Sequence, residues 1–216
     1  MLVLASASPR RQELLRNAGI AFVIEPTSIP EVAREGELPR NFAERMAQEK
    51  AETVFRTRPN DFILGADTVV VIDGVILGKP RDADDAARML RLLSGRTHQV
   101  ITGVCLMGGS LRTENSQLEA PARSVDQRQK STATRASCET EFRDTRSETT
   151  LVTMTRLTDE DILSYIATGE PLDKAGAYGI QGMASRWIPR IEGDYFNVVG
   201  LPVALVQRML HEHGVK

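Results

Sequence analysis

The stretch FILGADTVVVIDGVILGKP, residues 62–80, constrains the fold more than any other part of the chain. Two apolar, β-branched runs meet at Asp73-Gly74, the strongest short-range signal for a two-residue hairpin. A sheet must therefore be built around it. One residue breaks the pattern: Asp67 places a carboxylate in an apolar strand, where burial without a partner costs several kcal/mol. It must pair with a cation, bind a metal or sit at an exposed strand end. Pairing through the turn sets residues 66–68 near 79–81, which brings Lys79 within reach of the same ligand as Asp67. A plain buried salt bridge explains the pattern equally well.

The chain begins MLVLASASPRRQELLRNAG. Leu2 to Ala5 reads as a short buried strand, Ser8 as a helix N-cap with Pro9 at the first helical position, and Gly19 as the helix stop. A helix start offers free N–H groups and a positive dipole end, and Arg10 and Arg11 add bidentate donors. Two arginines in a first turn disfavour the helix itself, a conflict that an external anion would resolve. Solvated surface arginines are the plainer alternative. No GxxxxGK[ST], GxGxxG or GxSxG motif is present, and the three histidines, His98, His211 and His213, form no cluster.

Further along, residues 22–25 read as a second strand and 39–56 as a helix with an Arg45/Glu49 pair. Residues 82–93 form another helix, and THQVITGVCLM reads as an alternating strand. TTLVTMTRL is a further strand, TDEDILSYIATG a helix capped by Thr158, WIPRIEGDYFNVVGLP a strand, and 202–213 a last helix. The architecture is mixed α/β. From about 108 to 147 the composition turns polar, with seven basic and six acidic residues between Arg112 and Arg146. Such a segment buries too little to offset its ordering entropy and reads as a flexible hairpin insertion. Nucleic-acid contact through Arg123, Arg128, Lys130 and Arg135 is the less favoured reading.

At 216 residues and 41% hydrophobic, the chain can bury a full core as one domain or two small lobes. A net charge of −2 gives no global pull toward nucleic acid or membrane. Cys105 and Cys138 lie in unlike surroundings, which fits reduced thiols. Neither a signal peptide nor a membrane-spanning run is evident, so a cytoplasmic protein is expected. By pattern alone, Glu31 and Lys50 read as surface charges.

Five stretches, LASASPRRQELL, GADTVVVIDGVILGKP, LSGRTHQVITGV, EPLDKAGAYGIQG and GDYFNVVGLP, together resemble the Maf-like nucleotide pyrophosphatases over nearly the whole chain. The resemblance implies a single α/β domain with a curved mixed central sheet and two lobes around a deep cleft, similar to the inosine triphosphate pyrophosphatases. It also implies hydrolysis of nucleoside triphosphates to monophosphate and pyrophosphate with a divalent metal, Mg²⁺ or Mn²⁺, and a homodimer. Carried over by position, the family's site residues fall on Ser6, Arg10, Arg11, Glu31, Lys50, Asp67, Thr68, Lys79 and Gln181. Glu31 and Asp67 would be metal ligands or general base, with Asp67 the residue that activates water. Lys50 and Lys79 would stabilise phosphate charge, and Arg10 and Arg11 would hold the phosphate tail.

The combination SPRR, GADT and GIQG resembles the branch acting on dTTP and UTP and on modified pyrimidine nucleotides. That branch implies base recognition by Arg10, Thr68 and Gln181. Two alternatives stay open: a 7-methyl-GTP or broad-range house-cleaning enzyme, and a nucleotide-binding regulator of cell division or septum formation. The polar segment is longer than the family usually carries.

Overall fold

The computed structural model describes residues 1–109 and 141–215. Residues 110–140, with Arg123, Arg128, Lys130, Arg135 and Cys138, lie outside the described residues, and with them most of the segment read as a flexible insertion and the nucleic-acid reading.

The first strand, β1 (Leu2–Leu4), leads through a short turn into α1 (Pro9–Asn17), and β2 (Val23–Ile24) returns beside β1. After a loop comes α2 (Pro39–Phe55), then β3 (Phe62–Ile72), β4 (Val75–Leu77) and α3 (Ala83–Leu93). A long antiparallel pair follows, β5 (Thr97–Gly109) and β6 (Glu141–Thr153). The chain closes with α4 (Asp159–Ala167), three 3₁₀ turns between Glu170 and Trp187, β7 (Arg190–Glu192), α5 (Tyr195–Val199) and α6 (Val203–Glu212). The sheet is seven-stranded and mixed, in the order β2-β1-β3-β5-β6-β7, with β4 added to β3.

The hairpin forms as its sequence demands. Asp73 and Gly74 adopt φ of 52° and 77°, the positive values a type I′ turn needs, and β4 pairs antiparallel with Val70–Ile72. Ser8 caps α1, accepting a hydrogen bond from the Arg11 amide, with Pro9 next.

Three expectations change. First, β5 is buried on both faces rather than alternating, because α2 covers one face while α5 and α6 cover the other. Secondly, residues 108–109 and 141–147 belong to paired strands. The polar side chains of β6 find partners on α2, Arg143 on Glu52 and Ser147 on Glu44, which composition alone does not reveal. Thirdly, WIPRIEGDYFNVVGLP is not one strand. Only Arg190–Glu192 pairs with β6, after which Asp194 accepts from the Phe196 amide and starts α5.

The core divides around a cleft. On one face of the sheet, α2 packs against β1, β3 and β5 through Ala47, Ala51, Val54, Ile63 and Cys105. On the other, α1 and α6 pack Leu15, Val206 and Met209 onto Leu64 and Leu106. A separate body gathers α3, α4, Trp187 and Tyr178 around Val70 at the hairpin end. Burial of this kind stabilises by about 25 cal/mol per Å² of apolar surface. Among the described residues no helix is long and apolar enough to cross a membrane.

Candidate active site

The edge of β3 is incompletely paired, and the site sits in that break. Along one edge β3 pairs with β5 over residues 63–71. Along the other it pairs with β1 over 62–64 and with β4 over 70–72, so residues 65–69 have no strand beside them there. Beyond Leu4 the chain turns into α1, and beyond Leu77 it runs through Gly78 and Lys79. A cleft of about 860 Å³ opens here, lined by Ser6, Arg10, Glu31, Lys50, Asp67, Lys79 and Gln181 among others.

Asp67 points to the α2 side, where its alternation partners Val69 and Val71 pack on Phe42 and Met46. Its cation is Lys50 of α2, with Nζ 2.6 Å from Asp67 Oδ1 and also 2.6 Å from Glu31 Oε1. Lys50 and Asp67 are 8% and 5% exposed, so the reading of Lys50 as a surface charge is corrected. Helical spacing hid this, because a lysine among alanines on a buried helix face looks the same as one on the rim. Lys79, the partner suggested by hairpin pairing, makes no ion pair among the described residues. It is exposed on the cleft wall, where its charge still reaches Glu31.

The two carboxyls that share Lys50 are driven apart. Burial pushes the Asp67 carboxyl above the ordinary range, and Lys50 and Arg11 offset this only in part. Burial also acts on Glu31, but there the hydrogen bond and charge of Lys50, with Lys79 and Arg11, outweigh it and hold the group low. The loop bearing Glu31 is fastened to α2 by Arg45. Its guanidinium meets both oxygens of Glu37 at 2.6 Å and also bonds the Val32 carbonyl at 3.0 Å.

The adjacent arginines part company. Arg11 is buried and spends four of its five N–H donors within the protein. Nε donates to Gly200 O at 2.9 Å, Nη1 to Ala66 O at 2.8 Å and Ser6 Oγ at 3.2 Å, and Nη2 to Thr68 Oγ1 at 3.1 Å. It thus caps the carbonyl that the broken edge leaves open, and one N–H remains for a ligand. Arg10 faces the cleft, its nearest anion being the exposed Asp173 at 3.7 Å.

Ser6 Oγ accepts from Arg11 and from the Ser8 amide, which leaves its own hydrogen free to donate. The Thr68 hydroxyl is engaged with Arg11, Thr102 and Gly200 O, so it braces Arg11 rather than reaching outward. Gln181 sits exposed on the facing wall. All nine residues thus gather at one cleft. The sequence reading missed Glu170, Asp173 and Lys174, which line the same wall. Lys174 Nζ bonds the Glu170 carbonyl at 2.6 Å and Asp173 at 2.7 Å. Only the density of charge in EPLDK hinted at them.

The model of the family described as Maf-like protein matches residues 1–213. A dTTP/UTP pyrophosphatase of Koribacter versatilis is 50% identical over 214 residues, covering 99% of this chain and 95% of its own. Proteins of the same name from Syntrophomonas wolfei and Bacillus pumilus are 46% and 42% identical, over 98% and 99% of this chain and 96% and 97% of theirs. A solved nucleoside-triphosphatase / dITP/XTP pyrophosphatase of Mycobacterium abscessus aligns with 98% of this chain and 94% of its own at 14% identity and a TM-score of 0.39, which adds nothing to the assignment. The chain belongs to the Maf-like family.

Proposed function

We propose that this protein is a metal-dependent nucleoside triphosphate pyrophosphatase that converts dTTP and UTP to the monophosphate and pyrophosphate. The observation that carries the reading is the break in the β3 edge, where Asp67, Lys50 and Glu31 meet beneath Arg10, Ser6 and Lys79. Three relatives that match nearly the full chain bear that activity in their names.

The donor set fits a hard divalent cation. Asp67 and Glu31 each give one oxygen to Lys50, and no hydrogen bond among the described residues reaches Asp67 Oδ2 or Glu31 Oε2. Among the described residues no group of three or more His, Cys, Asp or Glu could hold a metal, and two carboxylates alone are the ligands Mg²⁺ or Mn²⁺ would take, with water and phosphate oxygens as further ligands. When bound, the ion would polarise the phosphate and neutralise charge on the leaving pyrophosphate.

The remaining steps belong to the chain's own residues. A triphosphate carries about four negative charges, which oppose an attacking water until cations offset them. Arg10, Lys79, the free Arg11 N–H and the Ser6 hydroxyl hold the phosphates. Asp67 takes the proton of a water aimed at the α-phosphorus while Lys50 fixes its carboxylate. The bond from that phosphorus to the bridging oxygen breaks, and pyrophosphate departs. The amide of Gln181 carries a donor and an acceptor, the complement of the uracil or thymine edge, and Arg10 lines the same cleft.

The test is a nucleotide panel of dTTP, UTP, GTP and 7-methyl-GTP with the products identified. The expected result is kcat/KM for dTTP and UTP about tenfold or more above the purines, with monophosphate and pyrophosphate as products. A best rate with 7-methyl-GTP, or release of inorganic phosphate alone, overturns the reading. Tight binding of dTTP without turnover places the protein among nucleotide-binding regulators instead.

A further inference from the structure

The turn that carries Gln181 is fastened by a ring of hydrogen bonds for which the reaction above has no use. Gly179, Ile180, Gln181 and Gly182 form a tight turn, closed by the Gly182 amide donating to Gly179 O at 3.1 Å. At one foot, the Gly179 amide donates to Tyr165 Oη at 3.2 Å, and that hydroxyl donates to Glu170 Oε1 at 2.9 Å. At the other, the Met183 amide donates to Glu170 Oε2 at 3.1 Å. One carboxylate and one phenol therefore grip both feet of the turn.

The grip is rigid. Tyr165 is fully buried on α4 with its ring edge-to-face on Trp187, centroids 5.4 Å apart, so the phenol has nowhere to swing. Ile180 anchors the crest of the turn in the core with Leu201. Gly182 is shaped to the clamp, since a Cβ there would lie 1.9 Å from Glu170 Oε1. Both Glu170 oxygens are taken up by these bonds, although the residue lines the cleft. The Gln181 side chain alone faces outward.

We propose that Glu170 and Tyr165 are positioning residues for substrate specificity: by holding the turn at both feet they present the Gln181 amide at one fixed place, and so set the preference for pyrimidine over purine nucleotides. The inference rests on Gln181 reading the base. A long amide side chain discriminates only if its backbone is immobile, because a shift of about 1 Å suffices to misalign a hydrogen bond in the productive complex.

The test compares steady-state kinetics with UTP and GTP for the wild type, Tyr165→Phe, Glu170→Gln, Gly182→Ala and Gln181→Ala, each first checked for folding by thermal melting. Gly182→Ala displaces the carboxylate while leaving both clamp residues in the sequence, so the test survives if one of the other variants fails to fold. The clamp variants are expected to raise KM for UTP about tenfold with kcat changed less than twofold. They should lower the UTP-to-GTP ratio of kcat/KM about tenfold. In a Gln181→Ala background, Tyr165→Phe should lower that ratio no further.

If Gln181→Ala lowers the ratio and the clamp variants do not, the clamp falls and base reading by Gln181 stands. If Gln181→Ala leaves the ratio intact, base reading falls and the proposal falls with it. Equal losses of kcat for UTP and GTP would mark a general structural role and also overturn the proposal.

Discussion

Arg10 and Arg11 are neighbours of identical chemistry with different duties, and the difference follows from what each guanidinium touches. Arg11 satisfies the carbonyl of Ala66, which burial would otherwise orphan, and shares that of Gly200 with the Thr68 hydroxyl. Lysine cannot reproduce a planar fork with this many donors. Arg11→Lys is therefore expected to cost about 2–4 kcal/mol and to lower Tm by about 6–12 °C in a melting scan. Arg10→Lys, whose nearest partner is the exposed Asp173, should leave Tm within about 2 °C and instead raise KM for UTP several-fold. Equal melting losses for the two variants would contradict the division. SPRR points to an anion site as one of two readings, and does not tell which arginine would face it. That depends on Ala66 and Gly200, far away in sequence and brought in only by the fold.

Helix α2 carries Lys50, and its closeness to the sheet decides whether Lys50 meets Asp67. The seam is built from small residues. A Cβ at Gly65 would lie 2.1 Å from the Ala47 carbonyl oxygen, and one at Gly103 would lie 2.3 Å from that of Ala43. Each contact is with backbone, which cannot rotate aside. Gly65→Ala and Gly103→Ala are each expected to destabilise by about 3 kcal/mol or more and to cut kcat, read by urea unfolding and by turnover of the surviving folded protein. Full stability in both would show that the helix is free to lift.

Elements were legible in the sequence where short-range chemistry dictates them: the hairpin at Asp73-Gly74, the Ser8 cap, the Thr158 cap and helices α2 and α3. The polar strand β6 and the one-turn helix α5 were not. The first is held by ion pairs to flanking helices, Arg143 on Glu52 of α2 and Arg146 on Glu212 of α6, and by thirteen residues of register with β5, and the second is five residues long with a single Asp194 cap. The residues of the candidate site, which line one cleft, were nameable through the family resemblance. Glu31 and Lys50 become recognisable from the residues themselves only when a loop, a helix and a strand converge.

At the scale of the molecule, stability in mild acid hinges on a buried base. His98 on β5 is 2% exposed and meets Tyr178 Oη at 2.7 Å across the hairpin body. Burial lowers its pKa from 6.5 to about 4. Between those values the unfolded chain takes up a proton that the folded one refuses, so stability falls as pH drops from about 6.5 to 4 and is complete above that window. The difference corresponds to roughly 3 kcal/mol. In urea unfolding at pH 7 and pH 4.5, His98→Gln should lose about 2–3 kcal/mol less than the wild type across that interval, while starting from lower stability at pH 7. Parallel losses would remove His98 from the explanation.

Under the proposed function the cleft, the broken strand edge and the paired carboxylates serve one chemical event, water attacking a nucleotide phosphate with Asp67 taking its proton. The most direct measurement is pyrophosphate release from dTTP with and without Mg²⁺, by the wild type and by Asp67→Asn, with dTTP binding followed in parallel. Release that requires the metal, and that falls at least about 10³-fold in Asp67→Asn while dTTP still binds, is the expected result. Undiminished release by the folded Asp67→Asn protein, or none by the wild type with metal present, would contradict it.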